Sequence, residues 1–332
     1  MQLVLMTEPQ LGMTYDQIVD LAQLAERLGL DGFSRADHYG FLDMEPAHAT
    51  DAFATLGGLA RETDRIQLCV LVSPITFRHP AVLAKMAATI DEMSGGRLAL
   101  GVGTGWMEQE HRAYGIDFHD LNGRFERLEE ALAYLHHAFG RRSGRFDGEH
   151  YRLDLDEVIP APTGPLPIIV GGSGERRTPR LAGTYADEFN MGIRSSDAMR
   201  LRIDRAREAA SAAGRDPDAL RISVMTGAIV GSTESSFQAN LQRIAAADPF
   251  SRSVDDFTAS YTERGLPFGT ADQVAEVVGR LAETGVSRIY YQTFGPYDHD
   301  LIEETVEVLR SSEEQAASSE QRAARRIPLA KN

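Results

Sequence analysis

Residues 97–119 read Arg-Leu-Ala-Leu-Gly-Val-Gly-Thr-Gly-Trp-Met-Glu-Gln-Glu-His-Arg-Ala-Tyr-Gly-Ile-Asp-Phe-His. Leu98 to Val102 is a short apolar strand that runs into Gly101, Gly103 and Gly105. A loop carrying Trp106, Glu108, Glu110 and His111 follows. A strand that ends in glycines lets something bulky sit against its C-terminal end, because glycine lacks a side chain and tolerates unusual backbone angles. Whether the rest of the chain presents more strand ends of this kind on one face decides the fold.

Working outward, the same unit recurs about every thirty residues, a strand and then a helix, which is the βαβ pattern. Upstream come strands at Gln2–Thr7, Asp31–Arg35 and Arg65–Val72. The last of these is almost continuously apolar in its second half, as suits a parallel strand covered on both sides. Helices are predicted at Thr14–Leu28, Asp51–Arg61 and Pro80–Met93, the last opening on proline, where a missing N–H costs nothing, and stopping at Gly95-Gly96. Downstream lies a long helix, Leu121–Phe139, then an irregular stretch at 140–165. Strands are expected at Leu166–Val170, Glu188–Met191, Leu220–Val230 and Ser287–Thr293, with helices at Glu175–Tyr185, Ser196–Ala213, Thr270–Thr284 and Asp300–Leu309. Residues 231–268 form a longer excursion with its own helix. About eight strand–helix pairs are the number that closes a parallel (β/α)8 TIM barrel. The rival, an open doubly wound sheet, needs a Gly-x-Gly-x-x-Gly turn after its first strand. Here the first strand leads to Glu8-Pro9-Gln10-Leu11-Gly12. The expected organisation is one barrel over 1–310, with the irregular stretches as insertions, and a Ser/Glu/Gln/Ala/Arg-rich tail over 311–332 that extends the last helix or frays.

The 332 residues carry 34 basic and 49 acidic side chains, a net charge of −15. That argues against a nucleic-acid or acidic-membrane surface, yet leaves room for an anionic ligand held by backbone N–H groups and a few arginines. The single cysteine, Cys69, excludes a disulfide framework or a cysteine metal site. With no signal-like start and no apolar run of spanning length, the expected location is cytoplasmic.

On a closed barrel the functional face is the C-terminal end of the strands. The second strand ends in Asp37-His38, the third in Val72-Ser73-Pro74, the fourth in Gly103-Thr104-Gly105-Trp106, the fifth in Gly171-Gly172-Ser173-Gly174-Glu175-Arg176-Arg177 and the eighth in Tyr291-Gln292-Thr293. Gly171–Gly174 leads straight into a helix, whose N-terminus with Arg176 or Arg177 suits a phosphate; an ordinary βα turn needs the same glycines. His38 suits a proton donor or a partner to a ring, or simply a cap. One of Glu108 and Glu110, if buried, suits a general acid; Glu108 reads as solvated. Trp106 suits stacking on a planar ligand or the core. His48, His111, His119 and His150 read as surface or loop, and the adjacent His136-His137 as no metal site, because neighbours on a helix point in different directions. No metal site is expected anywhere.

Several of these segments together resemble the luciferase-like monooxygenase superfamily: Asp37-His38, Thr76-Phe77-Arg78-His79-Pro80, Asp91-Glu92-Met93-Ser94-Gly95-Gly96-Arg97, Gly101-x-Gly103-x-Gly105-Trp106, Gly171–Thr178, and Tyr185-Ala186-Asp187-Glu188-Phe189-Asn190. The resemblance runs to about Leu309 and is greatest to the branch that uses the deazaflavin coenzyme F420. It implies a (β/α)8 barrel with the cofactor at the C-terminal strand ends, Asp37 and His38 near the ring, and a cis peptide around Val72-Ser73 backing it. Gly103-Thr104-Gly105 would pass the ring edge or ribityl chain and Gly171–Gly174, with Arg176, would hold the phosphate. The implied chemistry is hydride transfer at the ring, with the protein supplying orientation and a proton relay. In the sugar-phosphate and alcohol dehydrogenases of this branch a glutamate directly follows the Gly-x-Gly turn and acts with the histidine. Here that position is Trp106, so Glu110 substitutes, or the proton comes from His38 or water, and a reductase of a C=C or C=N bond fits better than either dehydrogenase. The alternatives are an FMNH2-dependent monooxygenase with FMN as cofactor and a barrel that binds flavin without turnover. The resemblance also implies a homodimer, and it leaves the substrate to the loops at 39–50, 105–120, 145–165 and 231–268.

Overall fold

The structure, a computed structural model, describes residues 1–41, 47–156, 158–295 and 297–325, with side chains to residue 316. Residues 42–46 of the first substrate loop, residue 157 of the third and 326–332 of the tail lie outside the described residues.

Eight parallel strands close into a barrel: β1 (Gln2–Thr7), β2 (Gly32–Arg35), β3 (Gln67–Pro74), β4 (Leu98–Gly103), β5 (Ile168–Gly171), β6 (Glu188–Gly192), β7 (Arg221–Thr226) and β8 (Arg288–Thr293). Each pairs with its sequence neighbours, and β1 closes on β8 from Gln2↔Arg288 to Thr7↔Thr293. The helices that cross between strands are α1 (Tyr15–Arg27), α2 (Ala52–Glu62), α3 (Pro80–Ser94), α4 (Glu108–Tyr114), α5 (Leu121–Ala138), α6 (Arg177–Tyr185), α7 (Ser196–Ala212), α8 (Glu234–Ala246), α9 (Val254–Arg264), α10 (Ala271–Glu283) and α11 (His299–Arg325). The main apolar core lies between strands and helices, where Leu3, Leu5, Phe33, Leu68, Leu100 and Val224 meet residues such as Ile18, Leu56, Leu83, Leu132 and Ile203. Alternate residues of the same strands, among them Val4, Met6, Cys69, Leu71, Ala99, Ile169 and Tyr290, fill the barrel interior as a separate cluster.

The structure departs from the sequence expectations in four places. The segment after Gly105 is no loop: Glu108–Tyr114 is helical and stops at Gly115, whose φ of 68° is the left-handed cap. The strand expected over Leu220–Val230 is broken after Thr226. A side chain at Gly227 would strike the Tyr261 hydroxyl of α9, and Ile229–Gly231 leaves the barrel to pair with Phe268–Thr270 in a small parallel sheet. The excursion between those two strands holds two helices rather than one, α8 and α9, and each opens on a capping box, at Thr233 and Ser253. The stretch at 140–165 contains a short antiparallel pair, Phe146–Asp147 with Arg152–Leu153. The tail extends the last helix as far as Arg325.

Candidate functional site

The side chains that reach the C-terminal mouth of the barrel follow from strand parity. Interior residues Ser34 and Ala36 set His38 inward at the end of β2, and Val4 and Met6 set Glu8 inward at the end of β1. His38 meets a partner from 72 positions away: its Nδ1 lies 2.9 Å from Glu110 Oε1. The other carboxylate oxygen, Oε2, accepts the backbone N–H of Tyr39 at 3.0 Å. A carboxylate only accepts, so Nδ1 donates, and among the described residues no hydrogen-bond partner meets Nε2. Glu110 is wholly buried on α4. Burial alone would lower the His38 pKa. The hydrogen bond and charge of Glu110 outweigh it, with Glu8 and Asp37 adding to them, and hold the imidazole above its ordinary value.

Beside this pair runs a chain of ion pairs. Arg78 donates to Asp37 Oδ2 at 2.5 Å and to Asp51 Oδ2 at 2.5 Å, and the Ser73 hydroxyl donates to the same Asp37 oxygen at 2.7 Å. Asp37 and Ser73 are both buried, so these two residues expected at the cofactor are tied to each other. Burial would lower the Arg78 pKa, but Asp37 outweighs it and keeps the guanidinium charged. Asp51 is placed by Arg35, which is buried against α2 and donates to Thr50, Thr55 and the Asp51 carbonyl. Desolvation pushes Arg35 down to about 10, against the pull of Asp37, Asp51 and Glu8.

Glu8 takes bonds from Gln10 Nε2 at 2.5 Å and from Gln292 Nε2. That leaves the buried Gln10 Oε1 without a partner among the described residues, an acceptor available to a ligand donor.

The glycines have a second occupant. The expected non-proline cis bond lies at Leu71–Val72, one peptide before Val72-Ser73. The Val72 side chain packs where glycine leaves space: a Cβ on Gly171 would sit 2.7 Å from Val72 Cγ1, and one on Gly103 would sit 2.8 Å from Cγ2. Gly103 and Gly171 therefore make room for Val72, which fills the floor of the mouth. Gly105, with φ 75°, turns the chain past Thr76 and His111. His111 corrects the expectation of a surface histidine. It is wholly buried, donates from Nδ1 to the Met107 carbonyl at 2.7 Å and takes the Thr76 hydroxyl on Nε2 at 2.6 Å. Trp106 is not core either: it is 66% exposed, edge-on to His38 with ring centroids 5.6 Å apart.

A flavin-type group fits this donor set. Gly172 and Ser173 are exposed ahead of α6, whose N-cap Arg176 supplies no side-chain acceptor, so the first N–H groups of that helix stay available to a phosphate. Thr104 is half-buried just past the end of β4, the strand that pairs with β5. Among the described residues no group of histidine, cysteine and carboxylate side chains could hold a metal, and no helix is long and apolar enough to cross a membrane.

Missing from the sequence reading were Arg78, quoted there without a role, and Glu8 and Gln10. Thr76 to Pro80 offered the one available signal, an arginine placed just before a helix that opens at a strand end.

The fold is shared with solved structures. An F420-dependent secondary alcohol dehydrogenase, in complex with an F420–acetone adduct, superposes with a TM-score of 0.74 at 19% identity, over 93% of this chain and 99% of the other. Among curated proteins, the F420-dependent glucose-6-phosphate dehydrogenase of Nakamurella multipartita is 36% identical over 174 residues, 52% of this chain and 51% of that one. The pyrimidine monooxygenase RutA of Escherichia coli is 32% identical over 174 residues, 51% and 47% of the two chains. The chain spans about half the length of these curated relatives. The luciferase-like monooxygenase profile matches residues 2–288, nearly the whole barrel, and the chain belongs to that family.

Proposed function

We propose that this protein is a coenzyme F420-dependent oxidoreductase that works as a reductase of a C=C or C=N bond in a small organic substrate. The observation that carries the reading is the pairing of the half-buried His38 with the buried Glu110. Glu110 restores, from the next helix, the carboxylate missing at Trp106. It holds the His38 pKa above its ordinary value, and it leaves Nε2 at the mouth as the end that would pass a proton. Gly172, Ser173, the α6 N-terminus and Arg176 would hold the cofactor phosphate, Thr104 and Gly105 its chain, and Val72 would back the ring. When bound in its reduced form, the cofactor would supply the hydride for one atom of the double bond. His38 gives its proton to the other, so the bond gains two electrons and two hydrogens. Glu110 steadies the imidazolium before that step and orients the ring throughout.

A second reading, a monooxygenase using FMNH2 and O2 on the same strand ends, draws support from the similarity to RutA. The deciding experiment titrates the purified protein with F420 and, separately, with FMN, following ligand fluorescence. It then follows loss of reduced F420 without oxygen. Tight F420 binding, weak FMN binding and anaerobic turnover with an unsaturated acceptor are expected. Preferential FMN binding with oxygen consumption overturns the reading in favour of the monooxygenase. Rapid reduction of F420 by glucose 6-phosphate overturns the reductase assignment.

A further inference from the structure

The chemistry at His38 adjoins an uninterrupted file of aromatic rings. Trp106 stands edge-on to His38 at 5.6 Å. On the other side Phe41 lies 5.9 Å from the same imidazole. Phe250 meets Phe41 edge-on at 5.6 Å, and Phe294 meets Phe250 at 5.9 Å. These rings come from four separate places: the loops after β2 and β8, the turn after β4, and the segment between α8 and α9. Packing within one element does not explain their meeting. Nor does the core, since Trp106 is 66% exposed and Phe250 40%. Large aromatic side chains left in solvent beside a half-buried histidine make a surface suited to a ligand.

The charges around the file define that ligand further. Arg252 lies 5.2 Å from the Phe250 ring and 5.8 Å from Phe294, but its guanidinium is bonded to Asp248 at 2.5 and 3.0 Å. Arg78, on the His38 side, is bonded to Asp37 and Asp51. Each guanidinium at this file already has its carboxylate, and Glu8 and Glu110 add negative charge at His38. A phosphate here meets no unpaired guanidinium of the file and a predominantly negative field.

We propose that the substrate is a small, planar, conjugated molecule without a phosphate group, gripped by Phe41, Phe250, Phe294 and Trp106 with its reducible bond at His38. The proposal rests on His38 being the proton donor of the proposed reductase. Aromatic contacts favour a ligand with its own π-face over a saturated one of equal size.

Trp106 is the chain's one tryptophan, so its fluorescence reports on this wall directly. The experiment titrates cofactor-free protein with 1,4-naphthoquinone, correcting for the probe's own absorption. A parallel titration follows F420 by its own emission. Saturable quenching is expected. Phe250→Ala and Phe41→Ala should each weaken naphthoquinone binding by about three- to tenfold, the size of one aromatic pair. Phe250→Tyr should keep wild-type affinity and Phe250→Leu should not. F420 affinity should change less than about twofold in all four variants, and millimolar glucose 6-phosphate should leave the quenching curve unmoved. Unsaturable quenching, unchanged affinity in both alanine variants, full rescue by leucine, or displacement by glucose 6-phosphate overturns the proposal. Failure of F420 to bind, with naphthoquinone binding and its sensitivity to Phe250 intact, overturns the deazaflavin reading alone.

Discussion

Glu110 concentrates the residue-scale argument. Its two oxygens serve two partners, the His38 ring and the Tyr39 backbone, so replacing it separates charge from shape. Glu110→Gln keeps an acceptor for Tyr39 and removes the negative charge. Burial then dominates at His38 and its pKa falls. The pH–rate profile should lose its plateau at lower pH than wild type, and turnover near neutrality should drop by about 10²-fold, the usual contribution of a positioned proton donor. Cofactor affinity should stay within a few-fold. Stability follows the same titration. The folded state holds the His38 proton more tightly than the unfolded chain does, so this contribution is fully present below the unfolded value. It is lost as pH rises through the raised one. Melting temperatures of wild type and Glu110→Gln should therefore differ more at pH 5 than at pH 9. A constant difference across that range means the carboxylate acts through packing alone. Spacing alone did not show this pairing, since nothing in it joins residues 72 apart. The family resemblance did suggest it, by offering Glu110 as the substitute for the glutamate that acts with the histidine. The reading of His111 failed because burial of a polar ring depends on what the fold brings over it, here Thr76 and Phe118.

At the scale of elements, legibility tracked apolar pattern. The barrel strands and the long helices were found because a buried face imposes a period on the sequence. Helix α4 escaped because Glu-Gln-Glu-His-Arg-Ala-Tyr has no apolar stripe, although its helix formers and the glycine stop were in view. The glycines on β4 and β5 were read as space for a ligand, and the structure assigns part of that space to Val72. This interpretation makes a coupled prediction. Gly171→Ala should cost about 1–3 kcal/mol, as overpacking does, because the three atoms nearest to a Cβ there all belong to Val72. In a Val72→Ala background the same change should cost under about 1 kcal/mol. Urea unfolding of the four proteins of the cycle measures the difference, and equal costs in both backgrounds would show the clash to be imaginary.

The whole molecule divides its polar interior between two ends. At the C-terminal mouth lie Glu8, His38 and Gln292. At the other end, Glu188, the first residue of β6, and Arg288, the first of β8, pair at 2.9 Å with both side chains buried. Arg288 also donates to Tyr290 at 3.3 Å. That lower pair touches nothing at the mouth, and it belongs to stability. Arg288→Met leaves the buried Glu188 only the longer, 3.5 Å pair with the partly exposed Arg221, and should cost up to about 3–5 kcal/mol in denaturant unfolding, while turnover at saturating substrate stays near wild type at temperatures where the variant is folded. A large loss of turnover without loss of stability would contradict this division. The fold itself was readable at this scale, since eight strand–helix units admit few arrangements. The positions of the insertions relative to the mouth were not, because polar loops carry no period.

The segment between β7 and α10 behaves as a cassette. It leaves on Ile229–Gly231 and returns on Phe268–Thr270, two strands side by side. It also has a small apolar core of its own, in which Phe237, Leu241 and Phe257 surround Ile229. It is closed at its base and self-packed inside, and it is tied to the rest of the barrel by Ser232 and Asn240, which donate to Glu304 of α11, and by the Arg243–Asp298 pair. Because it brings Phe250 to the aromatic file, a change within this segment would alter that wall of the mouth and leave the His38–Glu110 pair on β2 and α4 in place.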